Sequence, residues 1–156
     1  MKKNILKHIS IILDGNNRWA QNNKLPTIEG YKAGFENIKK IVEHCTKLNI
    51  KDLTLFTLSS ENYNRPSLNI IFDLIKNNFS KTLNDLINKG NIKINIFGSR
   101  NNLPENIINI FEKTEKQSIN NYGLNLNLAF NYGFKDEIKD VINNYNNIKH
   151  SIDLEK

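Results

Sequence analysis

Cysteine is nearly absent from this chain, with one residue, Cys45, in 156. An internal disulfide and any multi-cysteine metal site are therefore excluded. Cys45 falls on the apolar side of a predicted helix, where a thiol is a small buried hydrophobe. Tryptophan and methionine occur once each, beside three prolines and seven glycines. No glycine- or proline-rich linker divides the chain, and its length suits a single domain over residues 1–156. The N-terminus starts basic, but its apolar run is too short for a signal peptide or a membrane span. The cytoplasm is the expected compartment. No G-x-x-x-x-G-K-[ST] loop and no G-x-G-x-x-G turn occurs, which removes a Walker site and a dinucleotide fold. Histidine is scarce as well. His44 and His150 read as solvated helix positions, His8 opens a strand, and none has ligand spacing with another His or Cys.

What the chain does carry is positive charge and asparagine. The formal net charge is +6, which favours anionic partners in general. No Lys/Arg-rich run stands out, and aromatics do not interleave with basic residues as in a single-strand binder. No nucleic-acid partner is expected. The 29 asparagines accompany many Lys and Ile residues, all with A/T-rich codons, so base drift is the simplest cause. The apolar periodicity between them survives, which argues against disorder.

That periodicity alternates strand and helix. Ile9, Ile11, Ile12 and Leu13 form a continuous run expected to bury both faces of a parallel strand. A short helix over Asn16 to Gln21 and a loop over 22–29 follow. A helix is expected from Gly30 to Leu48, with Phe35, Ile38, Ile41, Val42, Cys45 and Leu48 on its apolar side and Asn49 as its stop. Leu53 to Leu58 reads as a second strand. Pro66 opens a helix carrying Leu68, Ile71, Phe72, Ile75, Phe79, Leu83, Leu86 and Ile87, with Gly90 as its cap. Ile92, Ile94 and Ile96 mark a third strand ending near Gly98, and Pro104 opens a helix bearing Ile107, Ile108, Phe111 and Thr114. Leu124, Leu126 and Leu128 mark a fourth strand running to Asn131-Tyr132-Gly133. A last helix, Lys135 to Lys149, reads as weakly amphipathic. The pattern predicts an α/β fold: a single three-layer domain with a mainly parallel sheet and flanking helices.

Two polar clusters fall at strand carboxyl ends, where parallel sheets open their ligand crevices. The first holds Asp14, Gly15, Asn16, Asn17 and Arg18; the second holds Ser59, Ser60, Glu61, Asn62, Tyr63 and Arg65. Guanidinium groups and backbone N–H groups make a diphosphate cradle. A carboxylate beside them suits Mg²⁺, which prefers one or two carboxylates plus substrate oxygens. The plainer readings are a turn at Asp14-Gly15, a surface ion pair between Arg18 and Glu61, and Trp19 in the core. The joint occurrence of both clusters points to a site.

The residues then carry a resemblance. Asp14-Gly15-Asn16-Asn17-Arg18-Trp19 resembles the D-G-N-x-R-W signature of cis-prenyltransferases, the undecaprenyl diphosphate synthase family. Gly30-Tyr31-Lys32-Ala33-Gly34 resembles its G-H-K-A-G, and Leu58 to Pro66 its F-S-S-E-N-W-x-R-P. Asn131-Tyr132-Gly133 resembles its N-Y-G-G. The resemblance implies an isoprenyl transferase in which isopentenyl diphosphate attacks an allylic diphosphate such as farnesyl diphosphate, with Mg²⁺ as cofactor and a cis-polyprenyl diphosphate as product. It gives Asp14 the Mg²⁺ and the departing diphosphate, and Gly15, Asn16, Asn17 and Arg18 the allylic diphosphate. It makes Trp19 a wall of the hydrocarbon path. Ser59, Ser60, Glu61, Tyr63 and Arg65 shape the reaction centre. Asn62 acts at the proton transfer, better as an orienting carboxamide than as a base. A homodimer, and membrane contact only through the lipid product, are also implied.

Thr27 stands where the family has a diphosphate-binding arginine, and Tyr31 where it has a histidine, so both substrate contacts fall to a hydroxyl and a phenol. The family's later R-x-G-x-x-x-R-x-S segment and glutamate, which hold isopentenyl diphosphate and complete the Mg²⁺ site, have no counterpart before Lys156. The expectation is a C-terminally truncated member lacking the last strands of the family fold. Two readings follow: a transferase, or a truncated or accessory chain that binds allylic diphosphate or a partner subunit without turnover.

Overall fold

The computed structural model describes residues 6–79, 84, 87–88 and 91–148. The expected positions Leu83, Leu86, Gly90, Lys149 and His150 lie outside the described residues. Four strands, β1 (His8–Ile12), β2 (Asp52–Ser59), β3 (Ile92–Phe97) and β4 (Leu124–Tyr132), form one sheet in the order β1-β2-β4-β3. Every pairing is parallel, with Ile11 opposite Leu55, Leu55 opposite Leu128, and Ile96 opposite Leu128. The helices are α1 (Asn16–Asn22), α2 (Thr27–Lys47), α3 (Leu68–Leu74), α4 (Glu105–Ser118) and α5 (Phe134–Ile148). The α/β architecture is the one the alternating pattern predicts. No helix among the described residues is long and apolar enough to cross a membrane.

Alternation along the strands sorts the two sheet faces. Leu53, Leu55, Leu126, Ile94 and Ile96 are buried and meet Val42 of α2, Phe72 of α3, and Ile107 and Phe111 of α4 in the core. The other set is polar. His8 Nε2 and Thr54 Oγ1 share a hydrogen bond of 2.8 Å. Asn95 donates to Asn127 Oδ1 at 2.9 Å, and Asn125 donates to Asp52 Oδ1 at 2.9 Å. Whatever base drift supplied these asparagines, the sheet uses them as cross-strand pairs.

The sequence reading needs five corrections. The Ile9–Leu13 run does not bury both faces: Ile9 and Ile11 are half-buried on the core, while Ile12, on the face shared with His8, Thr54 and Asn127, is 75% exposed. The expected loop 22–29 is shorter, since α2 starts at Thr27 directly after Pro26. Proline has no N–H to lose at a helix start and presets φ there, and Glu29 N–H closes the first turn on Pro26 O at 3.0 Å. Leu48 leaves the apolar stripe: α2 ends at Lys47, Asn49 turns left-handed (φ 56), and Leu48 is exposed. Asn49 is the stop that was expected. The helix after Pro66 is interrupted, α3 passing into a π-helical turn over Ile75–Phe79. Finally, α5 is not weakly amphipathic. Phe134, Ile138, Val141, Ile142 and Tyr145 form a regular helical stripe, and all five are exposed.

The sheet's two margins differ. Along β3, α4 supplies acceptors to the outward-facing backbone: Ile94 N–H donates to Ser118 Oγ at 3.0 Å, and Ile96 N–H to Glu115 Oε1 at 2.7 Å. Arg100 fixes that carboxylate from the other side at 3.2 Å. Covering a margin in this way removes a template for strand addition. Along β1, Leu13 N–H bonds Phe56 O at 3.0 Å, and by alternation the amides of Ser10 and Ile12 face away from the sheet.

Candidate active site

β1 and β2 are neighbours, so their carboxyl ends bring the two polar clusters to one crevice. After Ile12 the chain turns at Gly15, whose φ of 92 is a left-handed conformation that costs glycine least. Asp14 sits on this turn. Its Oδ1 accepts Gly15 N–H at 2.6 Å, and its Oδ2 pairs with Arg18 Nη2 at 3.2 Å. The two side chains are 70% and 74% exposed, and an ion pair so open to water is worth little. Both charges are thus available to a ligand. Arg18 pairs with Asp14, and not with Glu61.

Asp14, Gly15, Asn16, Asn17, Arg18, Tyr31, Ser59, Asn62 and Arg65 together line a polar mouth of about 400 Å³. Arg65 makes no ion pair among the described residues. Directly below lies an apolar cavity of about 100 Å³, walled by Phe35, Ile38, Leu74, Ile75, Ile96, Phe111, Leu126, Leu128 and Phe130 among others. The two spaces meet at a neck, since Leu13, Asn16, Tyr31, Thr57 and Ile71 line both. Tyr31 hydroxyl donates to Ser67 Oγ at 3.1 Å, joining α2 to the start of α3. Thr57 hydroxyl donates to Ala129 O at 2.7 Å. Charge in the mouth and hydrocarbon in the adjoining cavity, with five lining residues in common, suit an amphiphile with an anionic head.

Five expected site residues stand elsewhere. Trp19 is 46% exposed and so is not core; it lines an outer groove that shares Asp14, Gly15 and Asn16 with the mouth and also includes Gly30 and Gly34. Thr27 donates its hydroxyl to Asn17 Oδ1 at 2.9 Å and is not among the residues lining the mouth. Ser60, Glu61 and Asn62 form a 3₁₀ turn after β2, from which only Asn62 lines the mouth. Tyr63 hydroxyl donates to the Asn102 carbonyl, and burial pushes its phenol up. Thr57 and Ser67 escaped the sequence reading. Thr57 was hidden inside an apolar strand, whereas Ser67, next after Arg65-Pro66, was open to being found.

The remaining titrating groups near the strand ends fit this order. Tyr132, at the end of β4, donates to Glu137 Oε2 at 2.6 Å. That carboxylate holds the proton on the phenol and raises its pKa, with desolvation adding to the shift. Cys45 is buried in the core, which raises its thiol pKa; it is the structural residue expected. Among the described residues no three His, Cys, Asp or Glu side chains cluster as a metal cage. One exposed carboxylate at an anion-sized mouth fits Mg²⁺ shared with ligand oxygens and does not fit a metal held by protein alone.

Comparison with known proteins agrees with this geometry. Residues 12–156 match the Prenyltransf family model, described as "Putative undecaprenyl diphosphate synthase". An isoprenyl transferase of Clostridium acetobutylicum is 44% identical over 143 residues, covering 90% of this chain and 55% of the relative. A ditrans,polycis-undecaprenyl-diphosphate synthase specific for (2E,6E)-farnesyl diphosphate, from Buchnera aphidicola subsp. Schizaphis graminum, is 42% identical over 152 residues, covering 90% and 60%. The chain therefore spans little more than half the length of the curated relatives it matches. Among solved structures, lavandulyl diphosphate synthase from Lavandula x intermedia, crystallised with dimethylallyl diphosphate, superposes with a TM-score of 0.82. The identity is 26%, over 95% of this chain and 64% of that one. With fold, motif order and sequence in agreement, this chain belongs to the cis-prenyltransferase family, whose model is that of undecaprenyl diphosphate synthase.

Proposed function

We propose that the chain binds an allylic diphosphate at the polar mouth, its isoprenoid tail in the cavity beneath, for condensation with isopentenyl diphosphate to a cis-polyprenyl diphosphate. The observation that carries this reading is the neck: a mouth bearing Arg18 and Arg65 opens through five shared residues into an apolar cavity. A free phosphate or a nucleotide would have no use for that floor. The specificity for farnesyl diphosphate printed for the Buchnera relative supports the same class of ligand.

In this reading Arg18 and Arg65 hold the diphosphate oxygens, joined by the backbone of Gly15, Asn16 and Asn17 where α1 starts. Charge-assisted contacts of this kind are about twice as strong as neutral ones. Asp14 would hold Mg²⁺ against the diphosphate, and the ion when bound lowers the charge on the leaving group. Ser59, at the end of β2, and Asn62, on the turn that follows, orient the phosphate oxygen or water that takes the proton lost from the isopentenyl group. As the isopentenyl double bond attacks the allylic carbon, the C–O bond breaks and the diphosphate departs with its electron pair, and loss of a proton from the carbon beside the resulting cation, to a phosphate oxygen or water, restores the alkene. Thr27 acts through Asn17. A cytoplasmic homodimer is the arrangement this reading expects.

The test uses the purified chain with Mg²⁺, farnesyl diphosphate and radiolabelled isopentenyl diphosphate. Labelled cis-polyprenyl diphosphate is the expected product, together with saturable farnesyl diphosphate binding measured by calorimetry. Binding without product would remove the condensation and leave a carrier of the allylic substrate. Absence of binding would overturn the reading altogether.

A further inference from the structure

α1 lies across the first half of α2, and three positions on one face of α2 meet it. Thr27 donates to Asn17 Oδ1 at 2.9 Å. One turn on, a Cβ added at Gly30 would overlap the Asn16 carbonyl and come within 3.0 Å of Ala20 Cβ. A further turn on, a Cβ at Gly34 would overlap Asn16 Oδ1 and stand 3.0 Å from its Cγ. Positions three and four apart share a helix face, so 27, 30 and 34 form one track. Neither Gly30 nor Gly34 has positive φ. Gly30 is therefore required for space against the Asn16 backbone, and Gly34 makes room for the Asn16 side chain as it is now seated; neither serves backbone conformation. Ala20 is fully buried on the same contact, so α1 cannot retreat far without opening the core.

Asn16 is the residue these glycines admit, and it lines both the mouth and the apolar cavity. Asp14 and Arg18 lie two residues to either side of it on a short turn and helix. The geometry points to Gly30 and Gly34 as positioning residues for the diphosphate site: their missing side chains set the depth of Asn16 and, through it, where Asp14 and Arg18 are presented. This rests on the proposed allylic-diphosphate site, but the seating of α1 is measurable without it.

Trp19, the single tryptophan of the chain, rides on α1 and lines the outer groove with Gly30 and Gly34. Its fluorescence reports the seat with no ligand present. Gly30→Ala and Gly34→Ala are expected to shift Trp19 emission and weaken farnesyl diphosphate binding by about tenfold or more, the size of one lost charge-assisted contact. Val42→Ala, at a fully buried position of α2 outside the track, should lower the melting temperature and change neither readout. A double variant separates the two glycines. Gly34 meets the Asn16 side chain, so in an Asn16→Ala background Gly34→Ala should no longer move Trp19. Gly30 meets the Asn16 backbone, so Gly30→Ala should still move it.

Unchanged Trp19 emission in both glycine variants would overturn the inference. So would a Gly34→Ala shift of equal size in the Asn16→Ala background. Should Gly34→Ala alone fail to fold, recovery of a folded chain by Asn16→Ala upholds the seat and continued failure sinks it. If the parent chain binds no farnesyl diphosphate, the proposed function falls, while the fluorescence cycle still decides whether the glycines seat α1.

Discussion

Asp14→Ala is expected to lower product formation by about a hundredfold or more, the scale for removing one preorganised electrostatic group from a reacting centre. The same change should leave the melting temperature within about 2 °C of the parent, because the pair it breaks is exposed and such pairs contribute little to stability. Among the described residues Asp14 hydrogen-bonds Gly15 N–H and pairs with Arg18, and its side chain is 70% exposed, so little packing is lost with it. Asp14→Asn keeps the shape and the Gly15 hydrogen bond but not the charge. If the carboxylate serves to hold Mg²⁺, the asparagine variant should be as impaired as the alanine one, and its Mg²⁺ dependence should flatten. Turnover unchanged in either variant, measured at saturating farnesyl diphosphate, would take Asp14 out of the chemistry.

Phe111→Ala is expected to cost about 3–5 kcal/mol of stability, the range for emptying a buried aromatic site. For a chain of this size that lowers the melting temperature by roughly 6–20 °C. Phe111 is 1% exposed and stacks edge-on to Phe130 with ring centroids 5.1 Å apart. The Arg100 guanidinium lies 5.3 Å from its ring, and that same arginine anchors Glu115 against β3. Removal therefore loosens two contacts beyond the cavity it leaves. The ring also forms part of the apolar floor below the mouth, so the variant enlarges the space proposed for the isoprenoid tail. Calorimetric unfolding measures the first effect. A loss below about 1 kcal/mol would show that the floor collapses onto the gap, since the cost depends on how well the site relaxes.

Much of this site was legible in the sequence for a simple reason. A polar residue directly after an apolar strand has nowhere to go but the carboxyl edge of the sheet, and Asp14, Ser59, Asn62 and Arg65 all occur there. The β2 and β4 strands were equally plain, since Leu53, Leu55, Leu126 and Leu128 alternate with polar neighbours. What escaped was set by tertiary context. Whether Ile12 is buried depends on what covers the second face of the sheet, which no local pattern states. Thr57 shares its strand with leucines, and only its position above the cavity makes it part of the neck. Thr27 has the same chemistry whether it faces a ligand or Asn17, and the start of α2 decides for Asn17. The stripe on α5 was misjudged because asparagines surround it, although the spacing of its apolar residues was regular.

The unequal margins of the sheet also divide the molecule in time. The outward amides of Ile94 and Ile96 are bonded to α4 side chains, so their exchange with deuterium is expected to be slowed. Ser10 and Ile12 present theirs away from β2, and these exchange without that protection. The slow half of the protein is then the half remote from Asp14. The strand that delivers the carboxylate belongs to the fast half, and a ligand gripping both Asp14 and Arg65 would register as slowed exchange in β1 before it changed anything in β3.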